Sequence, residues 1–518
     1  MKVKLNLTEN IIHFSLWSLA CLYSLYLLYR AQSEIIENDP EQLYTDLSPG
    51  WRIISRKKDE SDVEWSTWKY FIQTSWFYML IQFCVSEILR KTNASLLKYW
   101  YIISSGIFIL NYMGIRQLVI IFTQPVVFWA IVFFGGKRFS IWLLSISLLA
   151  MYNSLKYNYF FWYVMDTKED EEIYVMLYAI AWVELRCISF CLYYVDRNEK
   201  NLKTEYKEKY HQESVLKDLV NMFSYVLYLP LLFVGPVILY EEFEKSFQVQ
   251  NEKLSLRLKR FIYDMMLFLI YSMFMEIALH YIYFNAMRAQ IEAINKFPTL
   301  ALCGGGLWMG LQFHMKYFIF YGTTAAYSKL DNIEPPPTPR CIARIHVYSE
   351  MWRYFDVGLY RFLLKYIYKP VYNTLSSFAI PNICHKLIAS LVTFVFIFMW
   401  HGTATNIFIW SLLNYAGIVM EYIGKAIADT DKYKLFKQKV LHSDAMEVRF
   451  IAFLCAPLLG LSAISNFYLF AGNEIGNLYF ALLKWPTLYN FAIIYTSLYC
   501  CCHVAIALRD VPSRNYVR

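Results

Sequence analysis

Between positions 387 and 420 the chain runs 34 residues without one Asp, Glu, Lys or Arg. A helix needs about 20 apolar residues to cross a hydrocarbon core of about 30 Å. The run is therefore too long for one upright span and too apolar to face water. Runs with few or no charges recur at 11–28, 70–89, 100–115, 118–136, 140–155, 173–195, 219–240, 261–284, 297–321, 450–473 and 485–508. Only 17% of the 518 residues are charged and 58% are hydrophobic, whereas soluble domains carry about 25% charged residues. There is too little polar surface for a set of soluble domains or a disordered chain. The expected fold class is an all-α polytopic membrane protein with roughly eleven to thirteen membrane segments, some of them re-entrant or broken.

The remaining charge is basic overall, +8. In a membrane chain such an excess marks cytoplasmic loops and contact with anionic headgroups, so membrane lipid is an expected partner and nucleic acid is not. The positive-inside rule places the loop with Arg197, Lys200, Lys203, Lys207 and Lys209 in the cytoplasm. It does the same for the loop with Lys432, Lys434, Lys437 and Lys439 and for the tail with Arg509, Arg514 and Arg518. The first run lacks a clear cleavage site and reads as a retained span. The eleven cysteines lack zinc-site spacing, and most sit inside apolar runs as small packing residues. The division expected along the chain is N-terminal membrane helices over 1–190, a core with cytosolic loops over 191–475, and a last membrane helix with its tail over 476–518. No stretch reads as a soluble catalytic domain, so any chemistry belongs in or beside the bilayer.

Three features interrupt the apolar pattern. In YLPLLFVGPVILYEEF, Pro230 and the pair Gly235-Pro236 break a spanning segment. Broken backbone survives at membrane depth only where protein or a water-filled cavity covers it, and an ordinary proline kink is the other reading. His401, in MWHGTATN, lies near the middle of the 34-residue run beside Gly402, Thr403, Thr405 and Asn406. An intramembrane ionisable group is costly, about 2.5 to 3.5 kcal/mol for Asp, Lys or Arg at a helix centre. A neutral imidazole costs less but still needs a reason, either a structural hydrogen bond or a function. Upstream, MWRYFDVGLYRFLLKYIYKP puts Trp352, Asp356 and Tyr360 on one face if it is helical. Arg353 then either pairs with Asp356 or meets an anionic ligand, for which guanidinium suits phosphate. Of the other intramembrane polar groups, Glu276 and His280 at i, i+4, Glu184 and Arg186 in one span, and His314 before Lys316 read most simply as helix-packing or snorkelling groups, with Glu276 and His280 lining a cavity as the alternative.

The segments WRYFDVGLYRFLLKY and MWHG resemble the membrane-bound O-acyltransferases, from about Leu219 to Tyr422. Asp356 stands where that family more usually has Asn. This form, with the wording WRYFDVGL, resembles the branch that acylates secreted Hedgehog-type proteins. The resemblance implies palmitoyl-CoA as acyl donor and the N-terminal cysteine of a secreted signalling protein as acceptor. The site implied is the endoplasmic reticulum membrane, multi-pass, with the Golgi as a second location. It implies His401 and Asp356 as the catalytic pair, and Arg353 and Trp352, with Trp400 shaping the acyl channel, as acyl-CoA contacts. It also implies haem iron on Cys341 in PPPTPRCIARIH. A family enzyme acting on a lipid alcohol, a catalytically silent relative that binds the substrate, and a transporter or channel are the alternatives.

Overall fold

The computed structural model describes residues 5–38, 47–165, 170–203, 213–248, 252–482 and 487–509. Lys207, Lys209, Arg514 and Arg518 lie outside these residues. What is described is almost wholly helical, as backbone in lipid requires, because a helix satisfies its own N–H and C=O groups. Nine of the described helices are long and apolar enough to cross a membrane, among them Leu7–Ile36, Asp170–Glu199, Asn382–His401, Thr405–Ala428, Asp444–Leu482 and Leu488–Leu508. Val63–Thr92, Leu97–Tyr112 and Thr299–Leu330 are further long helices. All eleven cysteines are unpaired, and Cys187, Cys191, Cys500 and Cys502 are buried as packing residues.

Ion pairs gather at one end of the bundle: Glu9 with Arg449, Lys98 with Glu244, Arg197 with Asp218 and Arg361 with Glu242. The helices Asp170–Lys203 and Thr405–Ala428, which lead into the basic stretches, end on this side, and the positive-inside rule assigns it to the cytoplasm. At the other end a short hairpin, Leu47–Ser48 antiparallel to Lys58–Asp59, covers the turn after Leu254–Ala278. There His280 accepts from the Trp51 amide at 2.9 Å, Asp59 accepts from the Asn285 and Ala286 amides at 3.0 Å, and Glu276 pairs with Lys58. Glu276 and His280 therefore hold the hairpin.

The broken segment is re-entrant. Helix Glu213–Val226 ends, one turn follows at Leu229–Leu232, and the chain runs non-helical to Tyr240–Ser246, so it returns to the end it left. Every residue from 224 to 240 except Val234 is buried in protein. The carbonyls that Pro230 and the unwinding set free are taken up one by one. Arg186, fully buried and facing no carboxylate among the described residues, donates to the Val226 and Leu231 carbonyls. Thr324 donates to the Gly235 carbonyl at 2.7 Å and Tyr225 to that of Ile238 at 2.6 Å. The span that carries Glu184 and Arg186 is thus the brace of a broken element. Glu184 itself meets Gln124.

The 34-residue run breaks as its length requires. Asn382–His401 ends where Gly402 takes φ +121°, a conformation that side chains with a Cβ avoid, and Thr405–Ala428 turns back.

Candidate active site

The segment after Val347 is two short helices, Tyr348–Tyr354 and Val357–Leu363, and not the continuous helix that its spacing suggests. The break has a tertiary cause. A Cβ at Gly358 would lie 2.2 Å from the Val237 carbonyl oxygen, so the backbone here is pressed onto the re-entrant element. Asp356 becomes the N-cap of the second helix, a position that carboxylates favour because they accept orphan amides. Its Oδ1 accepts from the Leu359 amide at 2.9 Å, and its Oδ2 from the Tyr321 hydroxyl at 2.8 Å. Burial pushes the Asp356 carboxyl up from its ordinary value, and the Leu359 and Tyr321 bonds oppose that shift.

Arg353 does not pair with Asp356. Its guanidinium carbon stands 6.0 and 5.9 Å from the ring centroids of Tyr354 and Tyr360, and the residue is exposed. Trp352 points inward, its indole donating to Asn414 Oδ1 at 3.2 Å.

His401 is the last residue of its helix and sits between two indoles, the rings of Trp400 and Trp410 standing edge-on at 4.8 and 4.9 Å. Both indoles are fixed from behind: Trp400 donates to the Ala181 carbonyl at 3.1 Å and Trp410 to Asn466 Oδ1 at 3.1 Å. Asn153 donates to the Met399 carbonyl at 2.9 Å and holds the helix end. Trp182 joins the two halves of the site, its ring 5.4 Å from Trp400 and 6.2 Å from Tyr321.

His401, Asp356, Trp352 and Trp400 all open on one cavity of about 970 Å³. Arg353 is not among its lining residues. The sequence motifs thus converge, and the cavity adds residues they did not announce. Tyr321 and Trp182 are two of these. A charged cluster at the hairpin end is another, where Lys316 lies 2.7 Å from Asp62 and 2.8 Å from Glu64. Lys316 is buried and does not snorkel. A lysine in an apolar helix is itself the signal that could have found it, since such a group needs a partner.

Cys341 also lines the cavity and is exposed. Its flanking cations are turned away, Arg340 to the Arg509 carbonyl at 3.3 Å and Arg344 to the Leu508 carbonyl at 3.1 Å. Among the described residues no group of three His, Cys, Asp or Glu is placed to hold a metal ion. The haem expectation gains no support from the described residues.

A multi-pass helical protein with an enclosed His and Asp facing a largely apolar cavity is an arrangement suited to chemistry on a lipid-like substrate. The sequence model of the membrane-bound O-acyltransferase family matches residues 128–465, and the chain belongs to that family and is an acyltransferase. It is 28% identical over 475 residues to protein-cysteine N-palmitoyltransferase Rasp of Drosophila melanogaster, covering 90% of this chain and 89% of the relative. It is 24% identical over 493 residues to protein-cysteine N-palmitoyltransferase HHAT of Mus musculus, covering 94% of each. Membrane-bound O-acyltransferase GUP1 of Saccharomyces cerevisiae is 23% identical over 398 residues, covering 71% of this chain and 68% of the relative.

Proposed function

We propose that this acyltransferase moves palmitate from palmitoyl-CoA to the N-terminal amine of a cysteine on a secreted, Hedgehog-type protein, in the endoplasmic reticulum membrane. The observation that carries the reading is the opening of His401 and Asp356 on one cavity, in a chain similar along nearly its whole length to two protein-cysteine N-palmitoyltransferases.

An α-amine has a pKa of about 7.7 to 8.0 and imidazole about 6.5, so a neutral His401 is matched to accept a proton from the attacking amine. The amine nitrogen adds to the thioester carbonyl carbon, the C–S bond breaks, and an amide forms. The amine proton passes through His401 to the departing CoA sulfur. No ATP is needed, because the thioester is already activated. Asp356, held by Tyr321 and the Leu359 amide, keeps a negative charge in the cavity that draws and orients the incoming ammonium, which gives its first proton to solvent water before the free amine attacks. Trp400 and Trp410 hold the imidazole edge-on, and Trp352 and Trp400 wall the acyl chain. Arg353, exposed outside the cavity, is free to meet the CoA phosphates.

Purified protein given labelled palmitoyl-CoA and peptides beginning with Cys or Ser tests this reading. Amide formed on the Cys peptide supports it, and no transfer to that peptide overturns it. The likeness to a yeast O-acyltransferase supports a second reading, a lipid alcohol as acceptor. Ester formed on an added alcohol in the same assay would establish it.

A further inference from the structure

The hairpin at the non-cytoplasmic end closes on an apex, Trp51 to Arg56, that the His401 site does not use. The Ile54 and Ser55 amides both donate to the Trp51 carbonyl, at 3.1 and 3.0 Å, and Ser55 takes φ +52°, so the turn is tight. Ile53 at its tip is 98% exposed, and Arg52 beside it is exposed too. Arg56 folds back onto the bundle. It donates to the Tyr29 hydroxyl at 3.3 Å, and its guanidinium carbon stands 5.7 and 5.0 Å from the ring centroids of Tyr29 and Tyr281. Neither arginine meets a carboxylate among the described residues, so both keep a positive charge without a counter-ion.

What the apex meets follows from its level. Glu9 pairs with Arg449 at the cytoplasmic end, and from Glu9 to Tyr29 the helix rises about 30 Å at 1.5 Å per residue, one hydrocarbon thickness. On the neighbouring helix Arg260 pairs with Glu252, and from Arg260 to Ala278 the rise is about 27 Å, with Tyr281 one turn further. Two separate helices thus put the rings beneath Arg56 at the far boundary of the hydrocarbon core. Tyr26 and Tyr281 are 50 and 41% exposed there, where an aromatic belt belongs. An isoleucine and two uncompensated guanidiniums at this boundary match a phospholipid, its acyl chains for the one and its phosphate for the others. We propose that the apex is seated in the non-cytoplasmic leaflet, with Ile53 among the acyl chains and Arg52 and Arg56 at the phospholipid phosphates. A protein partner in water would need the apex to stand clear of the boundary to which Arg56 pins it. The seat also bears on the His401 cavity. The second strand leads from the apex to Asp59, which is fixed by the Ser61 hydroxyl at 2.6 Å and by the Asn285 and Ala286 amides, and Ser61 and Asp62 line that cavity. A seated apex therefore ties this wall of the cavity to the membrane surface.

The test is electron paramagnetic resonance on the full chain in phosphatidylcholine vesicles. A nitroxide is attached at Ile53→Cys, its signal read as the difference from protein labelled without that substitution. It is relaxed in turn by dissolved oxygen, which concentrates in lipid, and by a water-soluble nickel chelate. Oxygen should relax this label more than the chelate does. At Asp431→Cys, whose parent side chain is 98% exposed in a basic cytoplasmic stretch, the chelate should be the stronger. Adding Arg52→Glu to Ile53→Cys sets a carboxylate against the phosphates and should lower the oxygen-to-chelate ratio. A label at Ile53→Cys as open to the chelate as the one at Asp431→Cys would put the apex in water and overturn the proposal. A ratio unmoved by Arg52→Glu would overturn the phosphate contact on which the seat depends.

Discussion

The Tyr321 hydroxyl donates to Asp356 Oδ2 at 2.8 Å, and no sequence motif ties the two residues together. Removing a hydrogen bond to a charged group costs about 1.5 to 3 kcal/mol. In Tyr321→Phe the carboxylate loses a contact that opposes its upward shift, so its pKa rises further. Activity that needs ionised Asp356 falls as pH drops through that pKa. The acid limb of the rate profile should therefore move to higher pH, with kcat down roughly tenfold and KM for palmitoyl-CoA unchanged. A profile that keeps its acid limb would show that Tyr321 does not act on Asp356.

Asp356 has two separable jobs, capping a helix and carrying charge. Asn caps about as well as Asp, whereas Ala costs about 1 kcal/mol. Asp356→Asn should thus melt in detergent like the wild type yet lose turnover by about 10² or more, while Asp356→Ala should lose both stability and turnover. His401→Gln should match Asp356→Asn in turnover. Near-normal turnover in Asp356→Asn would reduce this residue to a cap.

Arg186 makes a further prediction, about the frame and not the chemistry. Its guanidinium spans two carbonyls of the re-entrant element, Val226 and Leu231. Arg186→Met leaves both carbonyls buried and unpaired, at about 1 to 3 kcal/mol each. The melting temperature in detergent should drop, and Arg186→Lys, which can reach one carbonyl but not both, should fall between. Equal melting of all three proteins would mean that the element is held elsewhere.

Much of this arrangement was legible in the sequence, and the exceptions share a cause. His401 stands out because an imidazole in 34 uncharged residues demands an explanation, and the same run announces its own break by length. Pro230 and Gly235-Pro236 mark the re-entrant element directly. The break at Asp356 is hidden because WRYFDVGLYRF has helical spacing, and what interrupts it is the Val237 carbonyl against Gly358, a contact between segments about 120 residues apart. Tyr321 is one of 44 tyrosines, and nothing local distinguishes it. Lys316 reads as a snorkelling group because the apolar run ends at 321, close beyond it, whereas the helix continues to Leu330 and carries the lysine inside.

That buried lysine gives the last prediction. Lys316 lies 2.7 Å from Asp62 and 2.8 Å from Glu64, and Gln312 also donates to Asp62 at 2.8 Å. Breaking a buried pair by removing one partner costs about 3 to 5 kcal/mol, because the other charge is left uncompensated. Replacing both partners is often close to neutral. Lys316→Met should therefore destabilise the protein strongly in a detergent melt, and adding Asp62→Asn should recover part of the loss, with Glu64 accounting for the remainder. A double variant no more stable than Lys316→Met alone would show that the lysine answers to Glu64 and that Asp62 is held by Gln312 and the Trp65 amide.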